Sequence, residues 1–298
     1  MAPRLPLVIA LVLLVMSAPA LAQVTEPFDH IHLAVSDVAR AHDWYVQYMG
    51  GNDGETPESV AWGKWPGDHP LPIQLLFFAA GDTLPSEGTL IDHIGFSFSN
   101  LEAKVEELRT RGVTIVSPVT TAPGLGKHAV VKDPWGTKLV LLDDPDAPGI
   151  HHIELRVPDP EGALSWYIHA FGGDRVRYKG AIDAIRYRDL GVFYLFVTKD
   201  DKAMPTQGHA IDHVAFGPID LDKVVAVLNA GDTTFTSNPN PRINPGCRFV
   251  PAAPQRAASD IRRLSCAQPE SLAHRVVFVL GPGGVRIELL QHLEAGGH

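Results

Sequence analysis

The chain has 298 residues, enough for two domains of ordinary size, and carries 34 acidic against 25 basic residues, a formal charge of -9. That balance, with no basic run interleaved with aromatics, argues against a nucleic-acid partner. Residues 1–22 read MAPRLPLVIALVLLVMSAPALA: one positive charge at Arg4, an apolar run from Leu5 to Met16, and a small-residue ending at Ala20-Leu21-Ala22. This is the layout of a secretory signal peptide cut after Ala22, with a secreted or periplasmic product of 276 residues. The apolar run is too short to span a bilayer comfortably, and no other stretch approaches that length, so no membrane contact is expected after cleavage.

Beyond it, the first predicted strand alternates Ile31, Leu33 and Val35, and a helix opens at Ser36 or Asp37 and stops at Gly50-Gly51. The segment PIQLLFF, with Gln74, reads as a later strand. A second unit starts at Ile91-Asp92-His93, has a helix capped by Asn100 with Leu101, Val105 and Leu108 on one face, and turns at Asp133-Pro134-Trp135-Gly136. A third runs from His151-His152 through a helix opened by Asp159 and closed at Gly172-Gly173. A fourth runs from Ile211-Asp212-His213 through a helix opened by Asp220 to the turn Gly281-Pro282-Gly283-Gly284.

These units repeat. Residues 29–51 align without gaps to 151–173, sharing His30/His152, Val35/Val157, Asp37/Asp159, two Trp-Tyr pairs and the closing Gly-Gly. Residues 91–112 match 211–232, and 133–144 match 281–292. The last two offsets differ by 28, so the fourth unit carries an insertion of about that length, near 238–273. It is rich in Pro and Ala and holds Cys247 and Cys266, the only cysteines, which in an oxidising compartment form one disulfide or remain as two thiols. The insertion is expected at the mouth of a cavity. The domains are 23–148 and 149–298.

Four βαβββ modules, a histidine in each first strand and a D-P-x-G turn before a last strand resemble the vicinal oxygen chelate superfamily of glyoxalases, bleomycin-resistance proteins and extradiol dioxygenases. The match covers roughly 27–292. It implies an α+β fold of two tandem open eight-stranded barrels, helices outside and a cavity within. Function does not follow from that fold alone.

Strand periodicity gives the cavity face. His152, Glu154 and Arg156 alternate with Ile153, Leu155 and Val157; His213 and Ala215 with Val214 and Phe216; His93, Gly95 and Ser97 with Ile94, Phe96 and Phe98. Glu288 lies between Ile287 and Leu289. Taken singly, each His is a hydrogen-bonded core residue and Glu288 a solvated carboxylate. The resemblance assembles His152, His213 and Glu288 as the metal ligands, a two-imidazole, one-carboxylate face with open positions for a chelating substrate. The corresponding first-domain positions are His30, His93 and Val140. Valine offers no lone pair, so that site reads as degenerate, with Gln74 as a weak substitute, and one tight metal per chain is expected.

The expected activity is that of an exported metal-dependent enzyme on a small oxygenated substrate, ring-cleaving oxygenation first. A glyoxalase-like isomerase or lyase and a non-catalytic binding protein are the alternatives. The metal is divalent, Fe(II) before Mn, Zn or Ni. Two departures weigh against the dioxygenase pattern: Phe278 stands where those enzymes carry Tyr, and the strand GVFYLFVT lacks their histidine. The isomerase base position holds Tyr194, or Phe196, not a carboxylate. Tyr194 is an acid or hydrogen-bond donor, or merely a wall residue. Arg156 is an anchor for an anionic substrate, or an ion-pair partner of Glu154.

Overall fold

The computed structural model describes residues 28–54, 56–63, 73–187, 192–218, 220–231, 233–236, 247–251, 262–266 and 274–292. The signal-peptide segment and most of the insertion lie outside the described residues. Module one comprises β1 (Phe28–Val35), α1 (Val38–Met49), β2 (Asn52–Asp53), β3 (Ser59–Trp62) and β4 (Ile73–Ala79). Module two comprises β5 (Ile91–Ser97), α2 (Leu101–Thr110), β6 (Thr114–Ala122), β7 (Gly126–Lys132) and β8 (Lys138–Leu142). Module three comprises β9 (Gly149–Val157), α3 (Pro160–Phe171), β10 (Asp174–Tyr178), β11 (Ile182–Tyr187) and β12 (Phe193–Lys199). Module four comprises β13 (Ile211–Phe216), α4 (Leu221–Ala230), β14 (Thr234–Thr236), β15 (Cys247–Pro251), β16 (Arg262–Cys266), β17 (His274–Leu280) and β18 (Arg286–His292).

Each helix begins where a short acceptor side chain catches an orphan backbone N–H. Asp37 accepts from Arg40, Asn100 from Ala103, Asp159 from Gly162 and Asp220 from Lys223, all backbone donors. In every module the first strand runs parallel to the last, and the others follow antiparallel.

The modules join in an order that their likeness does not announce. One sheet has eight strands in the order β10-β11-β12-β9-β5-β8-β7-β6, modules three and two edge to edge. The other has ten: β15-β16-β17-β18-β13-β1-β4-β3-β2, with β14 also on β17, modules four and one edge to edge. The joints are the antiparallel pairs β5–β9 and β1–β13. Neither strand order returns on itself, so the described strands form two sheets, each shared between the halves, and the expected pair of open eight-stranded barrels, one per half, is not confirmed. A repeat shows that units are alike; which edges meet depends on connections and side-chain contacts that both halves share.

The apolar faces follow a different rule. Trp62 of module one lies against Phe96 of module two, their ring centres 5.2 Å apart, and the Tyr45 hydroxyl donates to Asp133 at 2.8 Å. In the second half Phe171 stacks on Phe216 at 3.9 Å. Modules one and two thus share an apolar face, as do three and four, while each sheet spans both halves. The connections between modules meet in the middle: Leu84 N–H donates to Gly208 C=O, Ala210 N–H to Leu84 C=O, and Met204 N–H to Gly88 C=O.

Candidate metal centre

The two joints between modules bring the first strands' histidines face to face. At β1–β13, His32 is the register partner of His213, and the parallel β18 sets Glu288 beside Ala215. His30, His32, His213 and Glu288 offer ligand atoms that all lie within 4.8 Å of one another. His213 Nε2 is 2.9 Å from Glu288 Oε2, and His30 Nε2 is 3.4 Å from the same oxygen. His32 Nδ1 is 3.2 Å from His213 Nε2.

A preceding aspartate orients two of these rings. Asp29 Oδ1 lies 2.6 Å from His30 Nδ1, and Asp212 Oδ1 lies 2.7 Å from His213 Nδ1. An ionised carboxylate only accepts, so each ring carries a proton on Nδ1 and turns Nε2 into the cavity. Arg286 holds Asp212 in turn through a 2.6 Å hydrogen bond. The His30 Nε2 atom is buried and has no hydrogen-bond partner. The two Nε2 atoms therefore converge on the Glu288 carboxylate, and a divalent cation that displaces the protons held there would complete the arrangement. The donor set fits such an ion.

The electrostatics agree. Burial opposes a charge on His30, yet Asp29 and Glu288 on either side raise its pKa to about 9, so without a metal the ring is cationic and an entering cation takes the place of its Nε2 proton. Burial also opposes the Glu288 carboxylate, but His213 and His30 hold its pKa well below the ordinary range, so it stays ionised. His32 is pushed well below 6.5, by burial first and then by His213 and His30. This pocket favours positive charge at its centre and a neutral imidazole at its side. Gln74 is the parallel register partner of His30 and is buried, with its amide oxygen directed toward Gly54, where an added Cβ would sit 2.8 Å away.

Of the expected triad, the structure brings together His213 and Glu288 and places His152 elsewhere. His152 sits on β9, in the other sheet, with its Nε2 3.1 Å from His93 Nε2. The reason is the module order: β13 takes β1 as its neighbour, so His30 fills the place expected of His152. Likewise His30 and His93 do not share a site, and Val140 lies beside Gly95 near His93. Tyr194 is opposite His152 in register and packs against His151 at 5.1 Å, again away from Glu288. Arg156 is committed to Asp92 at 3.2 Å and Asp200 at 2.8 Å, while Glu154 accepts from Thr198; the expected Arg156–Glu154 pair is not the one formed. His32 was missed by sequence reasoning. Its signal was the same alternation that marked Glu154, since it stands two residues after His30 on one strand face.

Comparison with known proteins accords with the fold. The model of the Glyoxalase/Bleomycin resistance protein/Dioxygenase superfamily matches residues 28–141 and again 149–289. No curated protein matches the sequence. Among solved structures, glyoxalase I from Zea mays superposes with a TM-score of 0.65 at 18% identity, covering 90% of this chain and 92% of that one. A dioxygenase candidate from Bacillus subtilis subsp. subtilis str. 168 gives a TM-score of 0.57 at 14% identity, covering 91% and 86%. These likenesses concern the fold. With two family segments spanning most of its length, the chain belongs to the Glyoxalase/Bleomycin resistance protein/Dioxygenase superfamily.

Proposed function

We propose that the chain is a divalent-metal enzyme that acts on a small substrate bearing two neighbouring oxygens, and that His30, His213 and Glu288 are the ligands. The observation carrying this reading is the convergence of two aspartate-oriented Nε2 atoms on the buried Glu288 carboxylate. When bound, the ion supplies Lewis acidity at the substrate oxygens. Glu288 neutralises part of its charge, and Asp29 and Asp212 keep the imidazoles in the ligating tautomer.

Proton transfer at the carbon beside a bound oxygen is the preferred chemistry. Gln74 cannot take a proton. His32 can: it is partly exposed, it stands 3.2 Å from His213, and its own preceding residue is Ile31, so no adjacent aspartate fixes its ring. His32 is the assigned base, and isomerisation or elimination is the expected outcome. Ring-cleaving oxygenation is the second reading, because two imidazoles and one carboxylate also make the open face used in oxygen chemistry.

The test compares α-hydroxycarbonyl and catechol substrates in deuterated water, with and without oxygen. Deuterium incorporation without oxygen consumption, lost in His32→Gln with metal retained, supports proton transfer. Oxygen-dependent turnover of catechols overturns it in favour of the second reading. Metal binding with no turnover of either class leaves a binding protein. Export with cleavage after Ala22 is proposed on the N-terminal layout alone; a mature native product still beginning at Met1 refutes it.

A further inference from the structure

The two joints are related by the internal repeat. His30, His32, His213 and Glu288 correspond in sequence to His152, Glu154, His93 and Val140. Val140 supplies no ligand, but Glu154 stands where His32 stands in the other sheet, and its register partner on β5 is His93. The carboxylate missing from the last strand is present two residues along the first strand instead.

We propose that His93, His152 and Glu154 form a second divalent-metal site. His93 Nε2 lies 3.1 Å from His152 Nε2 and 3.6 Å from Glu154 Oε2. Among the described residues the other cluster is the one whose ligand atoms all lie within 4.8 Å of one another, so here the Glu154 side chain has to turn toward His152 when an ion binds. Hydrogen bonds fix both tautomers. Asp92 Oδ1, 2.8 Å from His93 Nδ1, accepts a hydrogen bond from the Nδ1–H, and in the neutral ring this leaves the Nε2 lone pair facing inward. Asp92 is itself locked by the Gly88 N–H at 2.7 Å, Lys138 at 2.7 Å and Arg156 at 3.2 Å.

His152 is oriented by a longer relay. Asp144 accepts from His151 Nε2 at 3.2 Å, which leaves His151 Nδ1 as an acceptor, and His152 Nδ1 lies 2.8 Å from it. His152 Nε2 is then also a lone pair, aimed at that of His93. Two such lone pairs at hydrogen-bond distance repel unless a cation lies between or beside them. Thr198 donates to Glu154 Oε1 at 2.8 Å, leaving Oε2 turned to His93, the kind of outer contact that steadies a ligating carboxylate.

The backbone accommodates this cluster through Gly95. An added Cβ there would lie 2.0 Å from the His152 ring, whereas the corresponding residue of β13 is Ala215. The side chain omitted from β5 is the space that His152 occupies.

The test is Co(II) binding to metal-stripped full-length protein, followed by equilibrium dialysis and visible absorption. Two equivalents per chain are expected, the second weaker. Glu288→Gln should retain one equivalent, and the double variant Glu288→Gln/Glu154→Gln should lose it. Thr198→Val in the Glu288→Gln background should weaken the remaining equivalent roughly tenfold. If folded Glu288→Gln binds no Co(II), the two rings share a proton and the proposal falls. It falls equally if the double variant keeps the remaining equivalent unchanged. The outcome is independent of the first site's reaction, because the Glu288→Gln background removes that site's carboxylate.

Discussion

At the scale of single residues, the internal repeat supplies its own controls. Tyr45 and Tyr167 occupy equivalent places, each fully buried. Tyr45 donates to Asp133, but the residue matching Asp133 is Gly281, and the Tyr167 hydroxyl is buried with no partner. Removing a satisfied buried hydroxyl costs about 1–2 kcal/mol, whereas removing an unsatisfied one relieves a desolvation cost. Tyr45→Phe should therefore lower stability by about that amount, and Tyr167→Phe should be neutral or stabilising. Urea unfolding of the two variants checks this, and equal losses would refute the contrast. At this scale the sequence was informative about His213 and Glu288, and the Asp-His dipeptides at 29–30, 92–93 and 212–213 were in plain view. Their meaning was not, because adjacent strand residues nominally face opposite ways; only the folded backbone brings Asp Oδ1 onto His Nδ1.

At the scale of elements, helix caps and strand faces were legible because they depend on local chemistry. Asp37, Asn100, Asp159 and Asp220 all cap as their side chains dictate. The insertion in module four was legible as an interruption but not as structure. It contributes β15 and β16, a pair appended to the edge of the ten-stranded sheet, and the register sets Cys247 directly opposite Cys266. Their side chains lie outside the described residues, but directly opposed positions of an antiparallel pair are close enough in backbone for a disulfide. Oxidised protein is expected to contain one, closing a loop of about 20 residues and stabilising by roughly 3 kcal/mol in the chain-entropy model. Non-reducing peptide mapping checks the bond, and recovery of two alkylated thiols from oxidised, native-host material would exclude it.

At the scale of the whole molecule, the apolar contacts and the sites obey different partnerships. Trp62–Phe96 and Phe171–Phe216 pack modules within a half, while His30–Glu288 and His93–His152 assemble across halves. Self-similarity identified the four units, but it is blind to which edge meets which, and the misplacement of His152 follows from that. Fragments 23–148 and 149–298, made separately, should each bind metal at least tenfold more weakly than the intact chain, since each lacks ligands for both clusters. Mixing them should restore binding, as measured by dialysis. Tight binding by 149–298 alone would mean that His152, His213 and Glu288 do meet.

The linear order of the strands also bears on synthesis. The eight-stranded sheet is one continuous stretch of chain, and its joint closes about 50 residues between β5 and β9. The joint of the other sheet waits about 175 residues, from β1 until β13 emerges. The extra loop-closure entropy is small, about 1 kcal/mol, because it grows only with the logarithm of length. Time is the larger matter. Throughout translation of modules two and three, β1 presents an unpaired edge, with the apolar Phe28, Ile31 and Leu33 on the same strand. Nascent chains halted between residues 150 and 210 should thus be the most prone to aggregate or to recruit a chaperone, and chains released past β18 the least.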